Sequence, residues 1–232
     1  MKTEGIAMPM KLDKREYRRI ETEALETRTA EDGAMIVEGY ATTYNQPYPL
    51  WRDKEMTVNE QVDRNAFAET DMTDVIMQYD HEGRVFARIA NGTLELESDE
   101  HGLRIRANLG GTEIGRQLFE EIEGGYTNKM SFGFTVTGEK RKTTRDADGH
   151  ITVLRTITKI GKLFDVSAVS LPANDATEIS ARMTGDGLIA EVMEEIHAAE
   201  ERERAERAEQ ERRSAAMERL KNLIEEVKHD EV

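Results

Sequence analysis

Hydrophobic and polar residues alternate with a period of two along much of the chain between residues 34 and 171, which predicts strands with one buried face. The alternation is clearest at Leu103–Leu109, while the mostly apolar run Val75–Tyr79 suits a strand buried on both faces. The dipeptide Asn91-Gly92 predicts a hairpin between the strands on either side of it. Further strands are predicted at Ala34–Tyr44, Val85–Ile89, Thr93–Glu97, Lys129–Thr137, Ile151–Ile160 and Lys162–Leu171, the last three separated by a charged connection at Gly138–Gly149 and by Gly161.

One helical pattern interrupts these strands. Thr112 is a suitable N-cap for a helix over Glu113–Ile122, and Gly124-Gly125 would end it. The apolar residues of this segment recur at helical spacing and share one face: Ile114, Leu118, Phe119 and Ile122. About eight short strands around one or two helices predict an α+β fold, namely a small, mostly antiparallel β-barrel that is closed or nearly closed.

The two ends of the chain differ from this middle part. Residues 1–33 are mostly polar and charged, and we expect a flexible arm with a short helix around Lys14–Thr27. Residues 188–228 contain no Pro or Gly, with apolar heptad positions only near the two ends of the stretch. Its middle carries Glu-before-Arg pairs four residues apart: Glu200–Arg204, Glu203–Arg207 and Glu209–Arg213. The sequence therefore predicts an arm (1–33), a barrel domain (34–182) and a charged helical or coiled-coil tail (183–232).

Composition excludes several classes of function. The chain has no cysteine, which excludes a thiol nucleophile, a thiolate zinc site and disulfide bonds. A formal charge of -15 argues against nucleic acid as a main partner. No stretch is long and apolar enough for a membrane span, and the N-terminus does not resemble a secretory signal, so we expect a cytoplasmic protein. No cofactor or metal is expected.

Among the five histidines, His81 is the candidate for acid–base chemistry. It follows the apolar strand Val75–Tyr79, where a side chain can be held firmly and still reach solvent, although a plain loop histidine fits the same position. His101 precedes Gly102 in a predicted turn, and the remaining histidines lie in charged or Gly/Asp-rich segments.

Two strand residues could act with a histidine. Ser131 shares a strand face with Gly133, and a glycine beside a hydroxyl leaves room for a substrate, although a tolerated strand serine and a bulge at Gly133 fit as well. Asp165 lies in the apolar segment Leu163–Leu171, where a buried carboxylate needs a partner; a histidine and an arginine are equally suitable. Asp80 is a second candidate for an acid beside His81.

These segments resemble, in order and over about Ile36–Arg182, the prohead maturation proteases of tailed phages, which are similar in fold to the herpesvirus assembly proteases. The specific blocks are Met130–Phe134 and Asp165–Asn174. Supporting ones are Gly39-Tyr40-Ala41 with Tyr44-Asn45, Asn65-Ala66-Phe67, His81 after its strand, and Gly102-Leu103.

The resemblance implies a serine protease in which Ser131 is the nucleophile, His81 the general base and acid, and Asp165 the residue that orients His81. The family usually has Glu at the position of Asp165, an Asp-Pro pair after the histidine where Glu82-Gly83 stands here, and an aliphatic residue at Phe132. It further implies cleavage of capsid or scaffold protein inside the procapsid in the host cytoplasm, self-cleavage, and association into a homodimer.

Two other functions remain compatible with the sequence. One is a capsid-assembly protein without catalysis that uses the barrel and the helical tail for binding. The other is a metal-dependent hydrolase that uses His81, His101 and acidic residues.

Overall fold

A computed structural model describes residues 15–20, 25–170 and 186–230. The chain divides into two compact units, residues 1–185 and 186–232. The first contains eleven described strands, a 3₁₀ turn at Ile89–Asn91 and helix α1 (Glu113–Glu123); the second contains helix α2 (Asp186–Asp230). The strands are β1 (Arg15–Ile20), β2 (Glu26–Thr29), β3 (Met35–Thr43), β4 (Tyr48–Arg52), β5 (Met56–Val62), β6 (Ile76–Tyr79), β7 (Glu82–Arg88), β8 (Leu94–Ser98), β9 (Gly102–Asn108), β10 (Lys129–Arg145) and β11 (Ile151–Val169).

The described strands form two sheets. Seven strands make the larger sheet, in the order β1-β10-β11-β5-β4, with β6 pairing to β11 and β7 to β6. The smaller sheet has the order β2-β3-β9-β8. Pairing is antiparallel except where β5 and β6 run parallel to β11. Among the described residues, the fold is therefore mixed α+β, mostly strands with two α-helices, and the expected closed barrel is not found there.

The centre of the larger sheet is a long two-stranded ribbon of β10 and β11. Its register pairs Ser131 with Ser167 and Gly133 with Asp165 at one end, and Arg145 with Ile151 at the other. The predicted connection at Gly138–Gly149 is mostly part of β10, and the predicted break at Gly161 lies within β11. The turn proper is short: the Asp146 carboxylate accepts hydrogen bonds from the backbone amides of Asp148 and His150, at 3.0 and 2.9 Å.

One apolar face of the ribbon forms the core. Met130, Phe132, Phe134 and Val136 are all buried, as their alternation in the sequence predicts. Helix α1 supplies part of the same core through Leu118, Phe119 and Ile122. Its predicted N-cap is confirmed, because the Thr112 hydroxyl accepts a hydrogen bond from the Gly115 amide at 3.1 Å.

Two local predictions are wrong. Within the predicted helix Lys14–Thr27, all described residues except Leu25 belong to β1 and β2, which are strands because each gains backbone hydrogen bonds from a sheet edge. The segments on either side of Asn91-Gly92 do not pair with each other: β7 joins the larger sheet and β8 the smaller one. Gly92 does adopt the left-handed conformation (φ 73°) that a turn there requires, but the turn links two sheets.

Helix α2 is mostly exposed along its described side chains, including Met217 and Leu220. Of the predicted Glu–Arg pairs, Glu209 and Arg213 form an ion pair at 2.9 Å. In the described part of the chain, no helix has the length and apolar character needed to cross a lipid bilayer. The block Leu171–Asn174 and the predicted domain boundary at Arg182 lie outside the described residues.

Candidate active site

His81 is positioned by a tight hairpin between β6 and β7. β6 runs parallel to β11, and the Asp80 amide donates to the Ala168 carbonyl at 3.0 Å, which ties the turn to the ribbon. Asp80 and His81 are the two turn residues, since Tyr79 pairs with Glu82. Both have positive φ, 46° and 62°, as the type I′ turn of a two-residue hairpin requires. Asp and His are among the residues that adopt this conformation most readily after glycine and asparagine, so the turn presents the imidazole to the ribbon at modest strain.

Ser131 and Asp165 lie on the neighbouring strands of the ribbon. Ser131 is on β10 and Asp165 on β11, and the register places the carboxylate opposite Gly133, one position of the same face beyond the serine. Because β6 pairs with the other edge of this part of β11, the three predicted site residues come from three adjacent strands or their ends. Two of the contacts join residues 84 and 50 positions apart in the sequence.

The three side chains form a continuous hydrogen-bonded path. His81 Nδ1 lies 2.5 Å from Asp165 Oδ1, and His81 Nε2 lies 2.5 Å from Ser131 Oγ. A carboxylate can only accept, so His81 Nδ1 carries a proton, and in the neutral imidazole Nε2 then faces the serine with its lone pair. The His81 and Asp165 side chains are only 4% and 2% exposed, which excludes water from the path.

Two residues complete the immediate surroundings of Asp165. Ser167 donates a hydrogen bond to Asp165 Oδ1 at 3.0 Å. Gly133 leaves room for the carboxylate: a Cβ at that position would lie 2.4 Å from Asp165 Oδ2. The sequence predicted open space beside Ser131 at Gly133, and this space is filled by the Asp165 carboxylate and the Tyr17 ring. A register shift follows Gly133, but the extra residue is Phe164 of β11, so the bulge considered for Gly133 lies on the partner strand.

Strand β1 lies against the serine. The Ser131 hydroxyl is within 2.9 Å of the Arg18 carbonyl, so its single proton has two acceptors in reach, that carbonyl and His81 Nε2. The Tyr17 ring packs on the His81 ring with centroids 4.5 Å apart. Ser131 is fully buried in this arrangement.

The other candidates are placed elsewhere. Asp80 accepts a hydrogen bond from Ser170 at 3.5 Å, and Asp165 has His81 rather than an arginine as its ionisable partner. His101 packs edge-on against Tyr40, with centroids 4.6 Å apart. In the described ranges, no group of three or more His, Cys, Asp or Glu side chains is arranged to hold a metal ion.

A buried cluster of charges next to the site was missed by the sequence analysis. Arg18, Glu60 and Arg155 are almost completely buried. Both arginines pair with Glu60, and Glu16 of β1 pairs with both arginines as well. The alternation of β5 contained the signal, because Glu60 lies in line with Met56, Val58 and Val62 on the buried face. In β11, Arg155 lies in the same way between Val153 and Ile157.

Comparison with known proteins identifies the family to which the chain belongs. A family model described as Caudovirus prohead serine protease matches residues 23–188. Among solved structures, the bacteriophage T4 capsid assembly protease, gp21, is similar with a TM-score of 0.39 and 14% identity, covering 68% of this chain and 99% of that one. No curated protein sequence matches the chain. Because the family model spans well over half of its residues, the chain belongs to the Caudovirus prohead serine protease family.

Proposed function

We propose that this chain is a serine endopeptidase in which Ser131 is the nucleophile, His81 the general base and then the general acid, and Asp165 the residue that orients His81. The observation that carries the proposal is the hydrogen-bonded path from Asp165 through His81 to Ser131. A nucleophile, a base within contact of it, and a third group fixing the base are what acyl transfer by serine requires.

The reaction follows from this geometry. Ser131 Oγ attacks the scissile carbonyl carbon while its proton passes to His81 Nε2, forming a tetrahedral oxyanion. His81 then gives that proton to the departing amine, the C–N bond breaks, and the acyl group remains on Ser131 as an ester. Water attacks the ester with His81 again as the base, which releases the carboxyl product and restores the serine hydroxyl.

Asp165 acts on His81 in two ways. Its carboxylate fixes the tautomer with the proton on Nδ1, and it stabilises the imidazolium that exists once Nε2 has taken the serine proton. Ser167 supports this role, because its hydrogen bond to the same carboxylate oxygen limits rotation of the Asp165 side chain.

The substrates we propose are the capsid protein and any scaffold protein assembled with it, cleaved inside the procapsid in the host cytoplasm. Membership of a family described as prohead serine proteases supports this substrate class. Self-cleavage is part of the proposal, since β1 of the same chain reaches Ser131. An assembly protein without catalysis would have no need for a serine, an imidazole and a carboxylate in hydrogen-bonded alignment.

The test is co-expression of the chain with its capsid protein, followed by measurement of the capsid protein's mass. Wild type should shorten the capsid protein, whereas Ser131→Ala and His81→Ala should each leave it intact, because residues that act as one catalytic unit fail together. Ser214→Ala, at an exposed serine of α2, is the matched control and should cleave as wild type does. Cleavage that survives Ser131→Ala would remove the nucleophile assignment.

For the tail we propose a role in recruitment or self-association. Helix α2 presents exposed apolar side chains, among them Met193, Met217 and Leu220, which another helix could cover. A chain truncated after Arg182 should lose incorporation into procapsids, and unchanged incorporation would rule out recruitment by the tail. Sedimentation of the Ser131→Ala protein tests the proposed homodimer, and a monomer at all usable concentrations would contradict it.

A further inference from the structure

Strand β1 lies on the larger sheet in the position that an extended substrate would take. It is the terminal strand of that sheet and pairs antiparallel with β10, with Tyr17 opposite Gly133 and Arg19 opposite Ser131. Addition of an extended peptide to a sheet edge is a common mode of peptide recognition, with backbone hydrogen bonds for affinity and side-chain pockets for specificity. Here the Arg18 carbonyl is the one that the Ser131 hydroxyl contacts, at 2.9 Å. This contact is a hydrogen bond from Ser131 Oγ to the carbonyl oxygen, and it holds the Arg18 carbonyl beside the nucleophile.

The Arg18 side chain enters a buried carboxylate pocket. Its Nε donates to Glu60 Oε1 at 2.5 Å and its Nη2 to Glu60 Oε2 at 3.1 Å. The two side chains are 1% and 0% exposed. This two-point contact matches the planar fork of a guanidinium, which an ammonium group cannot reproduce.

Residues outside β1 also bind the Glu60 carboxylate. Tyr48 donates its hydroxyl to Glu60 Oε1 at 2.5 Å, and Arg155 Nη1 lies 2.5 Å from Glu60 Oε2. Burial would raise the pKa of Glu60, but the positive charges of Arg18 and Arg155 outweigh it and lower that pKa to about 2. With Arg18 in place, the pocket thus holds an ionised carboxylate at neutral pH.

Two further side chains of β1 meet fixed partners. Glu16, two residues before Arg18, binds Arg155 through both carboxylate oxygens, at 2.8 and 3.0 Å. Tyr17 covers the His81 ring. Glu16 also pairs with Arg18 itself, so these two side chains share one buried cluster of charges, while Tyr17 lies on the other face of β1 against His81.

We infer that the pocket at Glu60 is the specificity pocket of the Ser131 site and takes an arginine on the residue whose carbonyl is attacked, while Arg155 takes an acidic residue two positions earlier. The inference rests on the proposed function and adds a substrate sequence, Glu-x-Arg before the cleaved bond. Glu60 is then the specificity-determining residue. Stability is a weak reason for such a cluster, because buried ion pairs gain little over well-packed apolar residues.

The first experiment uses the unmodified full chain and synthetic peptides with the sequence of Arg15–Thr22, varied only at the position of Arg18. The arginine peptide should be cut after that arginine with kcat/KM at least tenfold above the glutamine, leucine and glutamate peptides, with the lysine peptide between them. Products are identified by mass spectrometry, and Ser131→Ala serves as the blank. A second series varies the position of Glu16, where glutamine in place of glutamate should raise KM.

The second experiment changes the pocket. Glu60→Gln should lower kcat/KM for the arginine peptide more than tenfold and leave the leucine peptide within about threefold, a split that a purely structural role would not produce. Glu69→Gln is the matched control, because Glu69 is an exposed carboxylate paired with Lys159. If Glu60→Gln does not fold, the preference of the unmodified chain still decides the question.

The outcomes distinguish failure of the specificity pocket from failure of the proposed function. Ser131-dependent cleavage without preference for arginine overturns the specificity pocket and leaves the protease assignment standing. Cleavage that is indifferent to Ser131→Ala, or no cleavage of any peptide or of the capsid protein, overturns the proposed function itself.

Discussion

Substitution of Gly133 by alanine perturbs the site at its tightest point. The added Cβ would lie 2.4 Å from Asp165 Oδ2 and 2.8 Å from Tyr17 Cε1. The first separation is about 1 Å short of the 3.4 Å at which ordinary van der Waals contact begins. The Tyr17 ring can tilt away, but Asp165 is held by hydrogen bonds from both His81 and Ser167. We therefore expect the carboxylate to move, and His81 to lose its alignment with Ser131.

The expected losses of rate and stability follow from this displacement. A misplacement of about 1 Å in a catalytic group costs on the order of 10²-fold in rate. Overpacking a buried site costs roughly 1–3 kcal/mol in the free energy of unfolding, and each kcal/mol lowers Tm by about 2–4 °C in a chain of this size. Gly133→Ala should accordingly reduce kcat about a hundredfold while the protein stays folded at the assay temperature.

The assay compares peptide cleavage and thermal unfolding for Gly133→Ala and Gly138→Ala. Gly138 lies on the same strand, but the atoms nearest to a Cβ there are side-chain atoms of Lys159 and Thr158 at 3.1 Å or more, which need to shift by only a few tenths of an ångström. The control should keep kcat within a few-fold of wild type. Equal kcat values for the two variants, with both folded by circular dichroism, would refute the idea that Gly133 protects the position of Asp165.

Three further outcomes are expected. Asp165→Asn should lower kcat/KM by about 10²–10⁴-fold, with residual activity, because an amide can donate to His81 Nδ1 and hold the wrong tautomer; full activity would assign the orienting role elsewhere. Ser167→Ala should lower kcat/KM by about tenfold, since it removes one hydrogen bond to a charged group, and a loss as large as that of Asp165→Asn would contradict this supporting role. Since the folded pKa of Glu60 is about 2 against an ordinary 4.5, its contribution to stability is complete above pH 4.5 and is lost as the pH falls toward 2, by up to about 3 kcal/mol. Other carboxylates, Glu16 and Asp71 among them, also have a lowered pKa, so the Glu60 contribution is the difference between thermal unfolding of Ser131→Ala and of Ser131→Ala with Glu60→Gln, which should show a flatter pH dependence between pH 7 and 2.5.

The sequence predicted much of the site because its signals are local. Alternation placed Met130, Phe132 and Phe134 on one face of a strand and Ser131 on the other, and the structure has them so. The position of His81 after an apolar strand and of Asp165 within one identified both residues as unusual. The contact between His81 and Asp165 could be predicted only from the family resemblance, because no local sequence rule relates residues 84 positions apart.

The arrangement of the strands was harder to predict because pairing is decided by tertiary context. Asn91-Gly92 carries a strong hairpin signal, yet its neighbours belong to different sheets. Gly161 suggested a break in β11, but there it allows close approach of Thr137, whose Cγ2 would lie 2.7 Å from an added Cβ. Strand propensity and turn signals are properties of one segment, and they do not determine which sheet edge that segment pairs with.

Strand β1 was missed for an electrostatic reason. Its sequence, Arg15–Ile20, is dominated by charged residues, which normally indicate a solvated surface. Arg18 is nevertheless buried because it forms an ion pair with the buried Glu60. Glu60 could have been recognised by its place in the apolar alternation of β5, although its partner lies 42 residues away in the sequence.

The length of the β10–β11 ribbon determines where the chain can be altered. Ser131 and Asp165 lie near the end opposite the short turn at Asp146–His150. In the regular part of the ribbon, where residues 139–145 pair with residues 151–157, a single-residue deletion in either strand would shift the pairing and turn the side chains beyond it to the other face, up to the register shifts that precede the site. Extra residues added in the turn itself would be absorbed there without changing the register. The turn is accordingly a permissive point for an affinity tag or a fluorescent label that reports on the protease during head assembly.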